Sequence, residues 1–237
     1  MAVDDALLTL CGAGESMPTL RLFGFRPACL SLGRSQPAGQ VRRPPGLDLV
    51  RRPTGGGAVV HRGDICYSIV LPVNHPLAAG GIPESYQRLA RGLAAGLEAL
   101  GLPPLTASAG SPPPQRGGWC FAAAAPYELT LAGRKLVGSA QARRGGALLQ
   151  QGSIRLAPEP AEAAAATSLQ EALGRAVAWD ELSEALVPGF ARAWGIDICP
   201  GELTDEEEAL ARRLERECYA DPGGLAPRSA AARIEMR

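Results

Sequence analysis

The segment RRPTGGGAVVH, residues 51–61, joins an arginine pair, three successive glycines and an apolar run that ends in a histidine. Three glycines remove every side chain from a turn, so the backbone can approach a ligand closely and its N–H groups can hold a carbonyl oxygen or an anion. A flexible hairpin is an equally good interpretation of these residues alone. Two nucleotide-binding loops are excluded, because the chain has no Gly-Lys pair of a Walker loop and these glycines lack G-x-G-x-x-G spacing.

Short apolar runs separated by Gly and Pro surround this segment and predict a sheet. The strands predicted for the first half of the chain are 20–23, 29–32, 47–51, 58–61 and 65–71. Leucines at helical spacing predict a helix over 82–100, which ends at Gly101 because the prolines that follow cannot continue it. Strands at 127–131, 135–142 and 147–156 are predicted to form a three-stranded meander that carries Lys135.

Helical patterns dominate after Pro160. Segments 168–173 and 179–194 are amphipathic, with Pro188 inside the second, and Thr204 with Glu207 predicts a capping box at the start of the last helix. The chain is therefore predicted to be an α+β protein. We expect a catalytic domain at 1–200 and a C-terminal helix and tail at 201–237 packed on it, with residues 220–237 disordered.

Length, charge and hydropathy exclude several classes of function. The chain has 237 residues and a formal net charge of +0, so its overall field does not attract nucleic acid or anionic membrane. No stretch approaches the roughly 18–20 apolar residues of a membrane span, and no basic region followed by an apolar run opens the chain. We therefore expect a cytoplasmic protein without a nucleic-acid or membrane partner.

The cysteines and histidines give no sign of a metal site or of a disulfide framework. The six cysteines lack C-x-x-C spacing, and only two histidines are present. The lysine content is more informative, since Lys135 is the single lysine among 24 basic residues. An ammonium is a compact point charge whose pKa can shift, whereas guanidinium stays protonated, so Lys135 is predicted to perform a task that arginine cannot.

Residues 102–118, rich in Pro, Gly and Ser, lead directly into Trp119-Cys120 and are predicted to be an exposed loop that serves as a lid.

Four motifs in order resemble one family over most of the chain. They are RRPTGGGAVVH at 51–61, Tyr67-Ser68, GRKLVGSAQ at 133–141 and LQQGS at 149–153. These motifs resemble the biotin/lipoate protein ligase and octanoyltransferase family. The resemblance implies a class II synthetase-like catalytic domain, in which helices flank a central mixed, largely antiparallel sheet.

The order of Cys120 and Lys135 in the chain selects a branch of that family. Trp119-Cys120-Phe121 followed by Pro126-Tyr-Glu-Leu is similar to the segment of octanoyltransferases in which the acyl-accepting cysteine precedes the lysine. The resemblance implies that Cys120 carries an octanoyl thioester and that Lys135 positions the acyl carbonyl. A nearby cation lowers a thiol pKa, which is the second role expected of Lys135.

The same resemblance implies the reaction partners. Acyl carrier protein is the expected donor, and a lysine of a lipoyl-domain protein, glycine cleavage H protein or a dehydrogenase subunit, is the expected acceptor. Conversion of a thioester to an amide is downhill, so no cofactor is required.

Small and polar residues of the matching motifs are the expected substrate-binding set. These are Arg52, Gly55, Gly56, Gly57, His61, Ser139, Ala140 and Gly152. The glycines, Ser139 and Ala140 are expected to line a slot for the acyl chain, and His61 to brace the glycine turn or the acyl carbonyl. The arginine pairs at 42–43, 51–52 and 143–144 are either a surface that steers an acidic carrier protein or ordinary solvated surface.

Three other functions remain open. An ATP-dependent lipoate ligase would use the glycine turn and Lys135, with ATP and Mg²⁺ as cofactors, and would not need Cys120. An amidotransferase would move the acyl group between lipoyl domains, and a catalytically dead homologue would only bind. The chain also departs from the family pattern in details. The pair His-Asp is replaced by His61-Arg62, and Gln-His-Gly-Ser is replaced by the sequence at 150–153. The family pattern also has a strand before the first helix, at a place where this sequence has Met1.

Overall fold

The computed structural model describes residues 1–108, 118–159 and 165–219. The predicted lid falls partly, and the predicted disordered tail wholly, outside these residues. Five α-helices are present in the described chain: α1 (Ala2–Ala13), α2 (Ile82–Ala99), α3 (Leu169–Leu173), α4 (Trp179–Trp194) and α5 (Asp205–Leu214). None of the helices in these ranges has the length and apolar character that crossing a bilayer requires.

The strands are short and lie mostly in the first two thirds of the chain. They are β1 (Thr19–Phe23), β2 (Cys29–Leu32), β3 (Asp48–Arg51), β4 (Val59–His61), β5 (Ile65–Pro72), β6 (Thr106–Ala107), β7 (Leu129–Leu131), β8 (Arg134–Lys135), β9 (Val137–Arg144) and β10 (Ala147–Ile154). They form a main sheet in the order β1-β5-β10-β9, a second sheet β3-β2-β4 and a third sheet β6-β7-β8.

The main sheet is antiparallel throughout and has a buried layer on each face. Because side chains alternate along a strand, Tyr67, Ile69 and Leu71 of β5 point to one core, which also contains residues of α2 and α4. Val70 points to the opposite face, where it packs on Leu7 of α1. The predicted α+β class is thereby confirmed, and β2–β3 is the parallel pair that makes the arrangement mixed.

The predicted three-stranded meander is wrong in one respect. Residues 134–144 are two strands, because β8 pairs with β7 in the third sheet whereas β9 pairs with β10 in the main sheet. Leu136, which is fully buried, separates them. The backbone of Lys135 is held on its other side by Ala165 and Thr167, through hydrogen bonds of 2.9 Å each. Lys135 therefore lies at the joint between two sheets.

The C-terminal helix begins as predicted. The Thr204 side chain accepts a hydrogen bond from the Glu207 N–H and the Glu207 carboxylate accepts one from the Thr204 N–H, which satisfies donors that a helix start leaves without partners. Leu210 and Ala211 of α5 pack against Ala6 and Leu10 of α1. Helix α4 continues through Pro188 without a break.

Candidate active site

Cys120 begins a single 3₁₀ turn, Cys120–Ala122, and is buried at the wall of a cavity. Its N–H donates to the carbonyl oxygen of Ala58 at 2.8 Å, and the Ala58 N–H donates to the carbonyl oxygen of Gly118 at 3.1 Å. The segment that carries the thiol is therefore attached directly to the residue that follows the triple glycine.

Gly57 explains why this attachment needs glycine. A Cβ atom at Gly57 would lie 2.3 Å from the Gly118 carbonyl oxygen and 2.9 Å from the Cys120 nitrogen, both too close for any real side chain. At Gly55, by contrast, an added Cβ would meet nothing within 4 Å. The third glycine of the turn is thus fixed by the approach of the cysteine segment.

Lys135 reaches the thiol from the joint between the two sheets. Its Nζ lies 3.6 Å from Cys120 Sγ and donates to the carbonyl oxygens of Cys120, at 2.7 Å, and Ala123, at 3.4 Å. Its shortest contact is an ion pair of 2.6 Å with Glu128 Oε2, and the two side chains are each 2% exposed. The predicted pairing of Cys120 with Lys135 is present in the structure as direct contact.

Glu128 is a site residue that the sequence analysis missed. Its carboxylate accepts hydrogen bonds from the N–H groups of Ala125, at 2.7 Å, and Ser139, at 3.0 Å, besides its contact with Lys135. Tyr127 before it has a φ of 69°, a backbone conformation that residues other than glycine seldom adopt and that concentrates at functional sites. The only signal in the sequence was its position in the Pro-Tyr-Glu-Leu segment.

Ser31, His61 and Asp64 form a buried hydrogen-bonded chain. His61 Nδ1 lies 2.7 Å from Asp64 Oδ2, and His61 Nε2 lies 2.8 Å from the Ser31 hydroxyl oxygen. Burial acts to raise the pKa of Asp64, but hydrogen bonds from His61 and Ser153 outweigh it and hold that pKa below its ordinary value. Because the ionised carboxylate only accepts, Nδ1 carries a proton, and in the neutral imidazole Nε2 then accepts from Ser31.

Cys66 adds a thiol to this cluster, and burial raises its pKa well above the ordinary value. Donor atoms of His61, Asp64 and Cys66 lie within 4.8 Å of one another, the one such group of three within residues 1–108, 118–159 and 165–219. The 2.7 Å spacing of Nδ1 and Oδ2 is that of a hydrogen bond, which accounts for the cluster without a cation.

Arg52 was predicted to bind substrate, but its N–H groups donate hydrogen bonds to other residues of the protein. Its guanidinium donates to the carbonyl oxygens of Gly55, at 2.6 Å, Gly57, at 2.6 Å, and Ser31, at 3.3 Å, and to the Ser31 hydroxyl at 3.2 Å. Arg52 thus braces the glycine turn, the role that the sequence analysis offered for His61.

A cavity of about 360 Å³ lies between the main and second sheets. Six of the predicted site residues line it: Arg52, His61, Cys120, Ser139, Ala140 and Gly152. Gly55, Gly56 and Gly57 do not, so the glycine turn supports the cavity rather than forming its wall. At Gly152 an added Cβ would lie 2.2 Å from the Tyr67 ring, so only glycine leaves room for that ring. The Tyr67 hydroxyl oxygen lies 2.6 Å from Ser139 Oγ.

Two of the three arginine pairs are tied into the fold. Besides Arg52, Arg51 donates to the carbonyl oxygens of Gly33 and Gln36, each at 2.7 Å. Arg143 donates to the Ala78 carbonyl oxygen at 2.9 Å, and Arg144 forms an ion pair with Asp5. These two pairs therefore make structural contacts, while Arg144, like Arg42 and Arg43, is exposed, and the steering of an acidic partner stays a prediction.

Comparison with solved structures confirms the predicted fold. The chain is similar to a putative lipoate protein ligase from T. acidophilum, with a TM-score of 0.77, 25% identity and coverage of 92% of this chain and 89% of that one. The same values hold for a lipoate-protein ligase A bound with ATP. A class II synthetase-like, ligase-type catalytic domain is therefore the fold.

Comparison with known sequences identifies the family. Octanoyltransferase LipM of Symbiobacterium thermophilum is 41% identical over 92% of this chain and 90% of its own length. Octanoyltransferase LipM of Moorella thermoacetica is 40% identical over 90% of this chain and 88% of its own length. Residues 1–191 match the model of the lipoyl protein ligase A/B catalytic domain. The chain therefore belongs to the lipoyl protein ligase A/B catalytic domain family, as its motifs indicated.

Proposed function

We propose that the chain is a cytoplasmic octanoyltransferase of protein lipoylation, which carries the octanoyl group as a thioester on Cys120. The relatives that match about 90% of the chain bear the name octanoyltransferase, which supports this acyl group and this acyltransferase activity. The observation that carries the covalent mechanism is the 3.6 Å contact of Lys135 Nζ with Cys120 Sγ at a cavity wall. Acyl carrier protein is the proposed donor and a lipoyl-domain protein, foremost glycine cleavage H protein, the proposed acceptor.

In the first half of the reaction, the Cys120 thiolate attacks the carbonyl carbon of the donor thioester. A new C–S bond forms to Cys120, the donor C–S bond breaks and the departing thiol takes a proton. The Lys135 ammonium beside Sγ stabilises negative charge on the sulfur, and from that position it can also stabilise the charge that develops on the carbonyl oxygen. This step needs neither ATP nor a metal.

In the second half, the acceptor lysine must lose a proton before it can attack the thioester. Lys135 is a poor base for this purpose, because its protons are directed at Glu128, the Cys120 carbonyl oxygen and Sγ. Ser31 lines the cavity, so its oxygen can take the proton while its own proton passes to His61 Nε2. Asp64 then stabilises the imidazolium, the amine attacks the thioester carbonyl, and the C–S bond to Cys120 breaks as the departing sulfur takes the second proton that the nitrogen loses.

The cavity gives a reason for selecting a medium-length acyl chain. An octanoyl tail buries about six methylenes at roughly 0.8 kcal/mol each, which amounts to on the order of 5 kcal/mol over an acetyl group.

The ATP-dependent ligase is the second candidate, because the chain shares a TM-score of 0.77 with a lipoate-protein ligase A bound with ATP. A ligase activates the acyl group as an adenylate and has no use for a thiol at the cavity wall. Cys120 therefore separates the two functions.

The test is intact-mass analysis after incubation with octanoyl-acyl carrier protein and no ATP. We expect the mass of one octanoyl group, removed by hydroxylamine, on the native chain and on a Cys199→Ser control, in which an exposed thiol is changed. Cys120→Ala should gain no mass. If the native chain gains nothing without ATP but transfers octanoate or forms an adenylate once ATP is present, the ligase is correct.

A further inference from the structure

The amine that lies nearest to the proposed thioester belongs to the enzyme itself. Lys135 Nζ is 3.6 Å from Cys120 Sγ, so an acyl carbonyl carbon bonded to that sulfur comes within reach of the nitrogen. Groups held together in this way react with effective concentrations of about 10⁵–10⁸ M. The inference rests on the proposed thioester mechanism, and it concerns what prevents Lys135 from taking the octanoyl group.

Such a transfer would inactivate the enzyme. A neutral Lys135 amine would attack the thioester carbonyl, forming a C–N bond and breaking the C–S bond to Cys120. The departing thiolate would take the proton that the nitrogen loses. The product is an amide on Lys135, which neither hydroxylamine nor an acceptor lysine reverses under mild conditions. A single such event would fill the cavity permanently and would remove the cation beside the thiol.

We propose that Glu128 protects the acyl-enzyme by holding Lys135 as an ammonium ion. An ammonium has no lone pair and cannot attack a carbonyl carbon. The Glu128 carboxylate lies 2.6 Å from Nζ, and both side chains are 2% exposed, so solvent does not share the interaction. Without this carboxylate a buried ammonium tends to lose its proton, because burial disfavours the charged form.

The surroundings of Glu128 are arranged for this role. N–H groups of Ala125 and Ser139 hold the two carboxylate oxygens, at 2.7 and 3.0 Å, so the negative charge cannot swing away from Lys135. The carbonyl oxygen of Cys120, 2.7 Å from Nζ, directs a second proton. Glu128 acts through Lys135 and is therefore a positioning residue.

The test compares the native chain with Glu128→Gln, both incubated with octanoyl-acyl carrier protein and no acceptor. After hydroxylamine treatment, intact mass and peptide mapping measure octanoyl amide on Lys135. Glu128→Gln removes the charge that lies 2.6 Å from Nζ, so amide formation should be faster in this variant by roughly tenfold or more. Activity should decay at the same rate as the amide accumulates.

Two further variants keep the test decisive. Glu128→Gln combined with Cys120→Ala should give no amide, because the thioester is its source. Glu128→Asp retains a shorter carboxylate and should give a rate between the native chain and Glu128→Gln, and it supplies the measurement if Glu128→Gln does not fold. A folded variant that forms the labile thioester without any resistant adduct would overturn the proposal. Absence of a labile thioester on the native chain would instead refute the proposed function.

Discussion

Replacing Gly57 by alanine should displace the nucleophile, whereas the same change at Gly55 should not. The added Cβ at Gly57 would lie 2.3 Å from the Gly118 carbonyl oxygen, so the segment before Cys120 must retreat by at least about 0.7 Å to reach the 3.0 Å that real Cβ atoms respect. A misplacement near 1 Å costs about 10²-fold in rate. We therefore expect thioester formation to slow by roughly tenfold to a hundredfold.

The same clash should appear as a loss of stability. Insertion of an atom into a well-packed site costs about 1–3 kcal/mol, which lowers the Tm of a chain of this length by roughly 2–12 °C. Gly55→Ala meets nothing within 4 Å, and the φ of Gly55 lies outside the left-handed region, so this variant should keep the native rate and Tm. Rapid-quench measurement of thioester formation, together with thermal melts, checks both. Equal effects of the two substitutions, or a native rate for Gly57→Ala, would refute the geometry.

Three further predictions concern other parts of the molecule. His61→Gln should slow transfer from preformed acyl-enzyme to the acceptor by about 10²–10⁴-fold, while the rate of acylation changes by only a few-fold. The control variant His75→Gln should transfer at the native rate. Single-turnover assays that find both half-reactions equally slowed would contradict the relay. The pKa of Asp64 is lower in the folded chain than its ordinary value of 3.8, so the ionised carboxylate stabilises the fold above that pH, and this stabilisation is lost as the pH falls through the lowered pKa. The difference in Tm between the native chain and Asp64→Asn should therefore shrink from pH 7 to pH 3. A constant difference would refute this prediction. Thr204→Ala should lose about 1 kcal/mol, seen as a Tm lower by roughly 2–4 °C with unchanged transfer.

Local patterns in the sequence predicted the elements whose stability is local. The helix over 82–100 and the Thr204 capping box depend on neighbours three or four residues away, and both are present. The predicted meander was wrong at Leu136, because 135–142 was interpreted as one continuous strand whereas the chain changes sheet between Lys135 and Val137. The change of sheet depends on pairing with residues 129–131 on one side and 147–154 on the other, which no local period encodes.

The candidate site was predictable where a motif marked it. Cys120 and Lys135 were singled out by residue type and order, and they are in contact. Glu128 and Ser31 were missed because their roles depend on side-chain contacts in the folded chain rather than on spacing along the sequence. The triple glycine was interpreted as a ligand surface, since a sequence cannot show that another segment of the same chain, here the one before Cys120, occupies that space.

Because Lys135 is buried, cleavage of the chain after this residue can measure how often the structure around it opens. A protease that cleaves only after lysine has one site in 237 residues, and cleavage there would leave pieces of 135 and 102 residues. At 2% side-chain exposure, with its backbone bonded on both sides, that site is closed to a protease in the folded state. The rate of this single cut therefore measures how often the joint between the two sheets opens, and a bound acyl group that stabilises the joint should slow it.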